Sequence, residues 1–224
     1  MLMSRSWFRL WVLSAWIAAG ALLSAAAMAA TTAATPASKD SDPVILVVGD
    51  SLSAGYGVSL DATWVALLKK RLARQGYGYR VVNASVSGET TGGARIRLPR
   101  ALQLHGPAIV ILELGGNDGL RALPLRQVRD NFAAMIQASQ AANARVLLVG
   151  MRMPTNYGPA YADGFHALYG ELAKQYNLPL VPFFLEGVAL DPAMIQEDGI
   201  HPTAQAQPTL LNNLWTALHP LLKK

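Results

Sequence analysis

Pro43-Val44-Ile45-Leu46-Val47-Val48-Gly49-Asp50-Ser51-Leu52-Ser53 is the stretch that decides the fold. Val44 to Val48 is an unbroken aliphatic run. A strand half exposed to water would alternate apolar and polar residues, so this one is expected to be buried on both faces, as in a parallel sheet. Gly49 ends the run and a polar cluster follows it. Trp64, Leu67, Leu68 and Leu72 then recur at helical spacing.

The same alternation continues outward to the C-terminus. Tyr79 to Val82, Ala108 to Leu114, Val146 to Val149 and Leu180 to Phe183 read as four further strands. Val128, Phe132, Met135 and Ile136 mark a helix, as do Phe165, Leu168, Tyr169, Leu172 and Tyr176. Leu210, Leu211, Leu214 and Leu218 mark the last one. Strands alternating with helices predict one α/β domain over residues 43–224 with a five-stranded parallel sheet. Right-handed crossovers place helices on both faces of such a sheet. Ligands then bind outside the carboxyl ends of the strands, so chemistry is expected just after them.

The chain has 224 residues, 52% of them hydrophobic, enough for a sizeable core. It has no cysteine, which excludes disulfides, a thiol nucleophile and a Cys-based zinc site. Arg5 and Arg9, the apolar run Leu10 to Ala27, and Ala27-Met28-Ala29 fit a signal peptide over residues 1–29. The competing reading is a retained anchor, because about 18 apolar residues suffice to span a bilayer. With cleavage, export to the periplasm or medium is expected, followed by a flexible Thr/Ala/Ser/Pro-rich leader over residues 30–42. Losing Arg5 and Arg9 lowers the formal charge from +5 to +3. Nucleic-acid binding is not expected, since no basic stripe is present. Lys69-Lys70-Arg71 reads as a solvated helix face, with transient contact to anionic lipid as its alternative.

Four polar clusters fall where a site should form. Gly49-Asp50-Ser51-Leu52-Ser53 follows the first strand, Asn83 to Gly88 the second, and Gly115-Gly116-Asn117-Asp118 the third. Asp198-Gly199-Ile200-His201-Pro202 precedes the last helix. A serine hydroxyl becomes a useful nucleophile when a base takes its proton, and a histidine titrates near neutrality. Ser51 and His201 fit those roles. Asp198, three residues before His201, fits the acid that fixes the imidazole. The backbone N–H groups of Ser51 and Gly88 and the Asn117 side-chain amide are candidate donors to an oxyanion.

Singly, each has a plainer reading: Ser51 as a helix cap, Gly88 and the Asp198-Gly199 pair as turns, Asn117 as a left-handed residue. Of the four histidines, His166 is expected to be exposed on a helix, His219 to end the last helix, and His105 to lie in a loop. The Gly-x-Ser-x-Gly elbow of α/β-hydrolases is not matched, because Ser53 stands where the second glycine belongs.

Taken together and in order, the four clusters resemble the SGNH hydrolase family, also called GDSL esterases. Ser51 to Gly57 (SLSAGYG), Glu113 to Arg121 (ELGGNDGLR), Asn156-Tyr157-Gly158 and Gln196 to Pro202 are similar to its bacterial periplasmic acyl-thioesterase, lysophospholipase and arylesterase branch. The resemblance implies a flavodoxin-like three-layer sandwich and a Ser51–His201–Asp198 triad. It further implies an oxyanion hole of Ser51, Gly88 and Asn117, activity on acyl esters and thioesters, and no metal or organic cofactor. It also implies a mobile loop over the acyl groove at Glu89 to Gly93. Substrate contact is expected from Asp50, Leu52, Leu120, Pro154, Asn156 and Tyr157, with Ala122 and Leu123 near the wall. The expected partner is a small acyl ester or thioester, and the expected state a monomer. A carbohydrate O-acetyl esterase is the alternative within the family. A metal-dependent phosphoesterase on Asp50, Asn117, Asp118 and His201, and a lipid-binding protein with a dead triad, are the readings from other classes.

Overall fold

The computed structural model describes residues 42–224. The expectations for a signal peptide and for the leader as far as residue 41 lie outside these. Five strands form one parallel sheet: β1 (Val44–Gly49), β2 (Arg80–Asn83), β3 (Ile109–Glu113), β4 (Arg145–Val149) and β5 (Leu180–Val181), in the order β2-β1-β3-β4-β5. Ile45 pairs with Val81 on one side and Ile109 on the other, and Ile109 pairs onward with Arg145. All of β1 and β3 is buried. Their continuous aliphatic sequence is the cause, since each is flanked by strands at both edges and helices on both faces.

The helices are α1 (Ser51–Ala54), α2 (Trp64–Arg74), α3 (Thr91–His105), α4 (Gly116–Leu120), α5 (Leu125–Ala141), α6 (Pro159–Tyr176) and α7 (Gln207–Leu218). The crossover from β1 to β2 runs one way along the sheet and every later crossover runs the other. Right-handedness therefore puts α2 on one face and α3, α5 and α6 on the opposite one. The packing agrees: α2 lies against α7, and α5 lies against both α3 and α6. The anticipated three layers and five parallel strands are present. The chain leaves β1 toward β2 and returns on the far side as β3, so the sheet switches direction between β1 and β3. That gap is where open α/β sheets hold ligands.

Some local expectations are corrected. The fifth strand is shorter than Leu180 to Phe183. Helix α3 is present although no apolar period announced it. Its buried positions are Thr91, Ala94, Leu98 and Leu102, and it carries Gly92, Gly93 and Pro99. Of Glu89 to Gly93, the last three residues open α3, while Glu89 and Thr90 lead into it. Thr90 caps the helix by accepting from the Gly93 N–H (3.3 Å), and Thr91 is fully buried. His105 ends α3 instead of standing in a loop, and His166 is half-buried, with Nδ1 3.4 Å from the Met151 carbonyl. Among the described residues, no helix is long and apolar enough to cross a membrane.

Candidate active site

The site is built at the switch point, from the residue that ends β1. A Cβ on Gly49 would come within 2.7 Å of Ser53 Oγ and 2.8 Å of Glu113 Oε2, so only glycine lets the strand exit pass this close to α1 and β3. Asp50 follows as the N-cap of α1, its Oδ1 accepting from the Leu52 N–H at 3.0 Å. An N-cap carboxylate satisfies one of the donors that the first helical turn leaves open. Ser51 is the first residue of the helix and is half-buried.

His201 arrives from the loop before α7. Its Nε2 lies 2.8 Å from Ser51 Oγ and its Nδ1 2.6 Å from Asp198 Oδ2. With the proton on Nδ1, the imidazole donates to Asp198 and accepts the Ser51 hydroxyl at Nε2. Asp198 Oδ1 meanwhile accepts from the Ile200 and His201 N–H groups at 2.9 and 3.0 Å. Those hydrogen bonds, the His201 backbone first, pull the Asp198 pKa down to about 2. Two further contacts hold the loop. The Tyr56 ring lies 4.4 Å from the imidazole, centroid to centroid. The Gln196 amide donates to the Tyr56 and Pro202 carbonyls, and its N–H donates to the His201 carbonyl. Gln196 and Tyr56 were not assigned from sequence, since neither type signals a tether without its partners.

The candidate oxyanion donors come from two other strands. Gly115 turns the chain out of β3 with φ 101°, and a Cβ there would strike the Tyr169 hydroxyl. Asn117 follows in α4, its Nδ2 donating to Asp50 Oδ2 at 3.2 Å. Gly88, after β2, is exposed with φ 78°, and its carbonyl accepts from Arg121 Nη2 at 3.3 Å. Asp118 is fully buried. Its Oδ2 accepts from the Thr91 N–H (2.9 Å) and its Oδ1 from the Thr91 hydroxyl (2.5 Å); Asn131 Nδ2 in turn donates to Thr91 Oγ1 (3.1 Å).

A buried carboxyl pair stands behind the nucleophile. Glu113 ends β3, is inaccessible to solvent, and accepts from Ser53 Oγ at 2.5 Å. Burial pushes it well above the ordinary range, and the charge of Asp50 adds to this. Burial also raises Asp50, to about 6 from 3.8. The sign follows by linkage: a carboxyl that holds its proton more tightly folded than unfolded gains stability as pH falls from about 6 toward 3.8. In urea unfolding, the wild type is therefore expected to gain on Asp50→Asn by on the order of 2–3 kcal/mol between pH 7 and pH 4. Equal pH profiles for the two proteins would refute this.

The Ser51–His201 pair opens into a cavity of about 530 Å³, within the range of small-molecule sites. Of the residues expected to touch substrate, Asp50, Leu52, Leu120 and Pro154 line it. Asp50 does so with its carboxyl already engaged by Leu52 and Asn117. Asn156 and Tyr157 are not on the lining, and neither are Ala122 and Leu123. Tyr157 instead donates to the Leu120 carbonyl at 3.1 Å, and Tyr161 donates to that of Leu123 at 2.9 Å. Gly88 is also off the lining. Phe183, Leu185, Leu190, Ile195 and Ile200 also line the cavity, none of them expected there from sequence. Exposed Leu190 and Ile200 were their only signal, and exposure is not legible in a sequence. Among the described residues, no three His, Cys, Asp or Glu side chains gather as a metal site requires.

A family model described as GDSL-like lipase/acylhydrolase matches residues 47–207. "Esterase TesA" of Pseudomonas aeruginosa is 54% identical over 80% of this chain and 89% of its own length. "Thioesterase 1/protease 1/lysophospholipase L1" of Escherichia coli K12 is 45% identical over 80% of this chain and 84% of its own. A crystal structure of TesA, 54% identical, superposes with a TM-score of 0.78 over 80% of this chain and 99% of that one.

Proposed function

This chain belongs to the GDSL-like lipase/acylhydrolase family, and from that premise we propose that it hydrolyses acyl esters and thioesters through an acyl-enzyme on Ser51. It is a serine esterase and thioesterase; the names of its relatives give them esterase and thioesterase activity. The observation that carries the residue assignment is the unbroken relay Ser51–His201–Asp198 at the mouth of an apolar cavity. Ser51 Oγ attacks the acyl carbonyl while His201 Nε2 takes its proton. The Ser51 and Gly88 N–H groups and the Asn117 amide receive the oxyanion. On collapse, His201 returns the proton to the leaving alcohol or thiol. Water, deprotonated by His201, then attacks the acyl-enzyme; the bond to Ser51 Oγ breaks, His201 returns the proton to that oxygen, and the carboxylic acid leaves. Asp198 keeps the imidazole in the tautomer that can accept from Ser51.

The cavity supports medium and long acyl chains over acetyl groups, and so does not favour the O-acetyl esterase alternative. Aryl esters, acyl-CoA and lysophospholipids are the proposed substrate classes. The proposed location is the periplasm or medium, supported by the basic and apolar N-terminus that ends in a small-residue cleavage pattern. The test is a panel of p-nitrophenyl and CoA esters from acetyl to palmitoyl on purified protein. Each buried methylene is worth about 0.8 kcal/mol, so three or four newly buried ones raise kcat/KM for octanoyl over acetyl by about 10²-fold. A preference for acetyl would overturn the reading.

A further inference from the structure

The two side arms of the proposed oxyanion hole follow different strands. Gly88 sits after β2, and Asn117 in α4 after β3. An oxyanion hole works only if its donors keep their spacing without reorganising during the reaction. Asp118 joins the two segments. It is the chain neighbour of Asn117, and its carboxylate grips both donors of Thr91, three residues after Gly88. Thr91 and Asp118 are fully buried and Asn131 nearly so. Asn131 closes the network from α5, donating to Thr91 and accepting from Arg95 at 3.2 Å. The carboxylate also faces the N-terminus of the fifteen-residue helix α3, where an anion is favoured by the helix dipole. On the solvent side, Arg121 makes a second link to Gly88 through its exposed guanidinium, at the longer distance of 3.3 Å.

We propose that Asp118 is a positioning residue, a clamp between α3 and α4 that fixes the distance between the Gly88 and Asn117 oxyanion donors. It touches no substrate, and its two hydrogen bonds to Thr91 hold the geometry. The inference rests on the reading of Gly88 and Asn117 as oxyanion donors.

The test uses the full chain with Asp118→Ala, Asp118→Asn and Thr91→Val, and with Asn117→Ala as reference. Competent sites are counted by fluorophosphonate titration, so partial misfolding does not enter kcat. An alkyl boronic acid, which forms a tetrahedral adduct on Ser51 Oγ, reads the oxyanion hole. Octanol reads the apolar cavity alone. A displacement of about 1 Å at a reacting centre costs about 10²-fold. Asp118→Ala should therefore lose about 10²-fold in kcat per titrated site and weaken the boronate comparably. KM and the octanol inhibition constant should stay within about twofold, as for an interaction made only in the transition state. Asp118→Asn keeps one acceptor for Thr91 and should recover most of the loss. Thr91→Val, isosteric and independent of whether Asp118→Ala folds, should share the defect.

If Asp118→Ala and Thr91→Val lower the melting temperature but leave kcat per site and boronate affinity unchanged, the clamp is refuted. An equal loss of octanol affinity would refute it as well, by pointing to a collapsed cavity. If Asn117→Ala also leaves boronate affinity unchanged, the oxyanion reading itself fails. If Asn117→Ala loses it and the other two do not, only the clamp fails.

Discussion

Ser51→Ala is expected to lower kcat by about 10⁴–10⁶-fold, the range seen when a hydrolase loses its nucleophile. The argument is geometric. Ser51 Oγ is the group that His201 Nε2 addresses, at 2.8 Å, and Ser51 lines the cavity. Alanine leaves the cavity, the oxyanion donors and the base in place, so the residue of activity is what positioned water can supply. The hydroxyl is half-buried and its side-chain partner is His201, so stability should change by no more than about 0.5 kcal/mol. The measurement is turnover of p-nitrophenyl octanoate beside fluorophosphonate labelling. Turnover within tenfold of wild type, in protein free of contaminating esterase, would remove Ser51 from the mechanism.

The second large effect belongs to Asp198. Its carboxylate accepts three hydrogen bonds, two from backbone and one from the imidazole. In Asp198→Asn, the amide oxygen keeps the backbone pair and the amide nitrogen then faces His201 Nδ1. A donor facing Nδ1 forces the ring proton onto Nε2, where it can no longer accept from Ser51. The expected loss is about 10⁴-fold in kcat. Charge has less to do with it, because Asp198 is exposed and water screens its field. Held at a pKa of about 2, the carboxylate stays ionised above roughly pH 4, so it does not set the acid limb of the rate profile. A loss below tenfold in Asp198→Asn would show that some other group orients the imidazole.

What could be read in the sequence follows a physical divide. β1, β3 and β4 announce themselves because strands buried on both faces need unbroken aliphatic runs. Helices α2, α5, α6 and α7 do so through one apolar stripe each. Helix α3 escaped because its buried face begins with threonine and alanine, and its capping and clamping are polar. The same divide runs through the site. Ser51 and Asn117 open short helices directly after strands, and Asp198 and His201 lie in the loop before the last helix, close to where a rule about sheets locates chemistry. The wall from Phe183 to Ile200 is irregular and has no period to recognise. Asp50 lines the cavity, as expected of a substrate contact, and its carboxyl also serves Leu52 and Asn117. Residue type and position alone cannot distinguish a group that faces a ligand from one that braces its neighbour.

The loop carrying His201 belongs to no strand or helix of the sandwich, and it is pinned beside Ser51 chiefly through Gln196 and Tyr56. The acid and base lie three residues apart and find each other by local turn geometry. The nucleophile lies 150 residues away and meets them only through that docking. Such exposed, sparsely anchored segments open at lower free energy than a buried sheet does. On heating, turnover of a p-nitrophenyl ester is therefore expected to fall at a lower temperature than the circular-dichroism signal of the fold. An inactivation half-life set by the seating of that one loop would then respond to Gln196 and Tyr56 and not to the core beneath it.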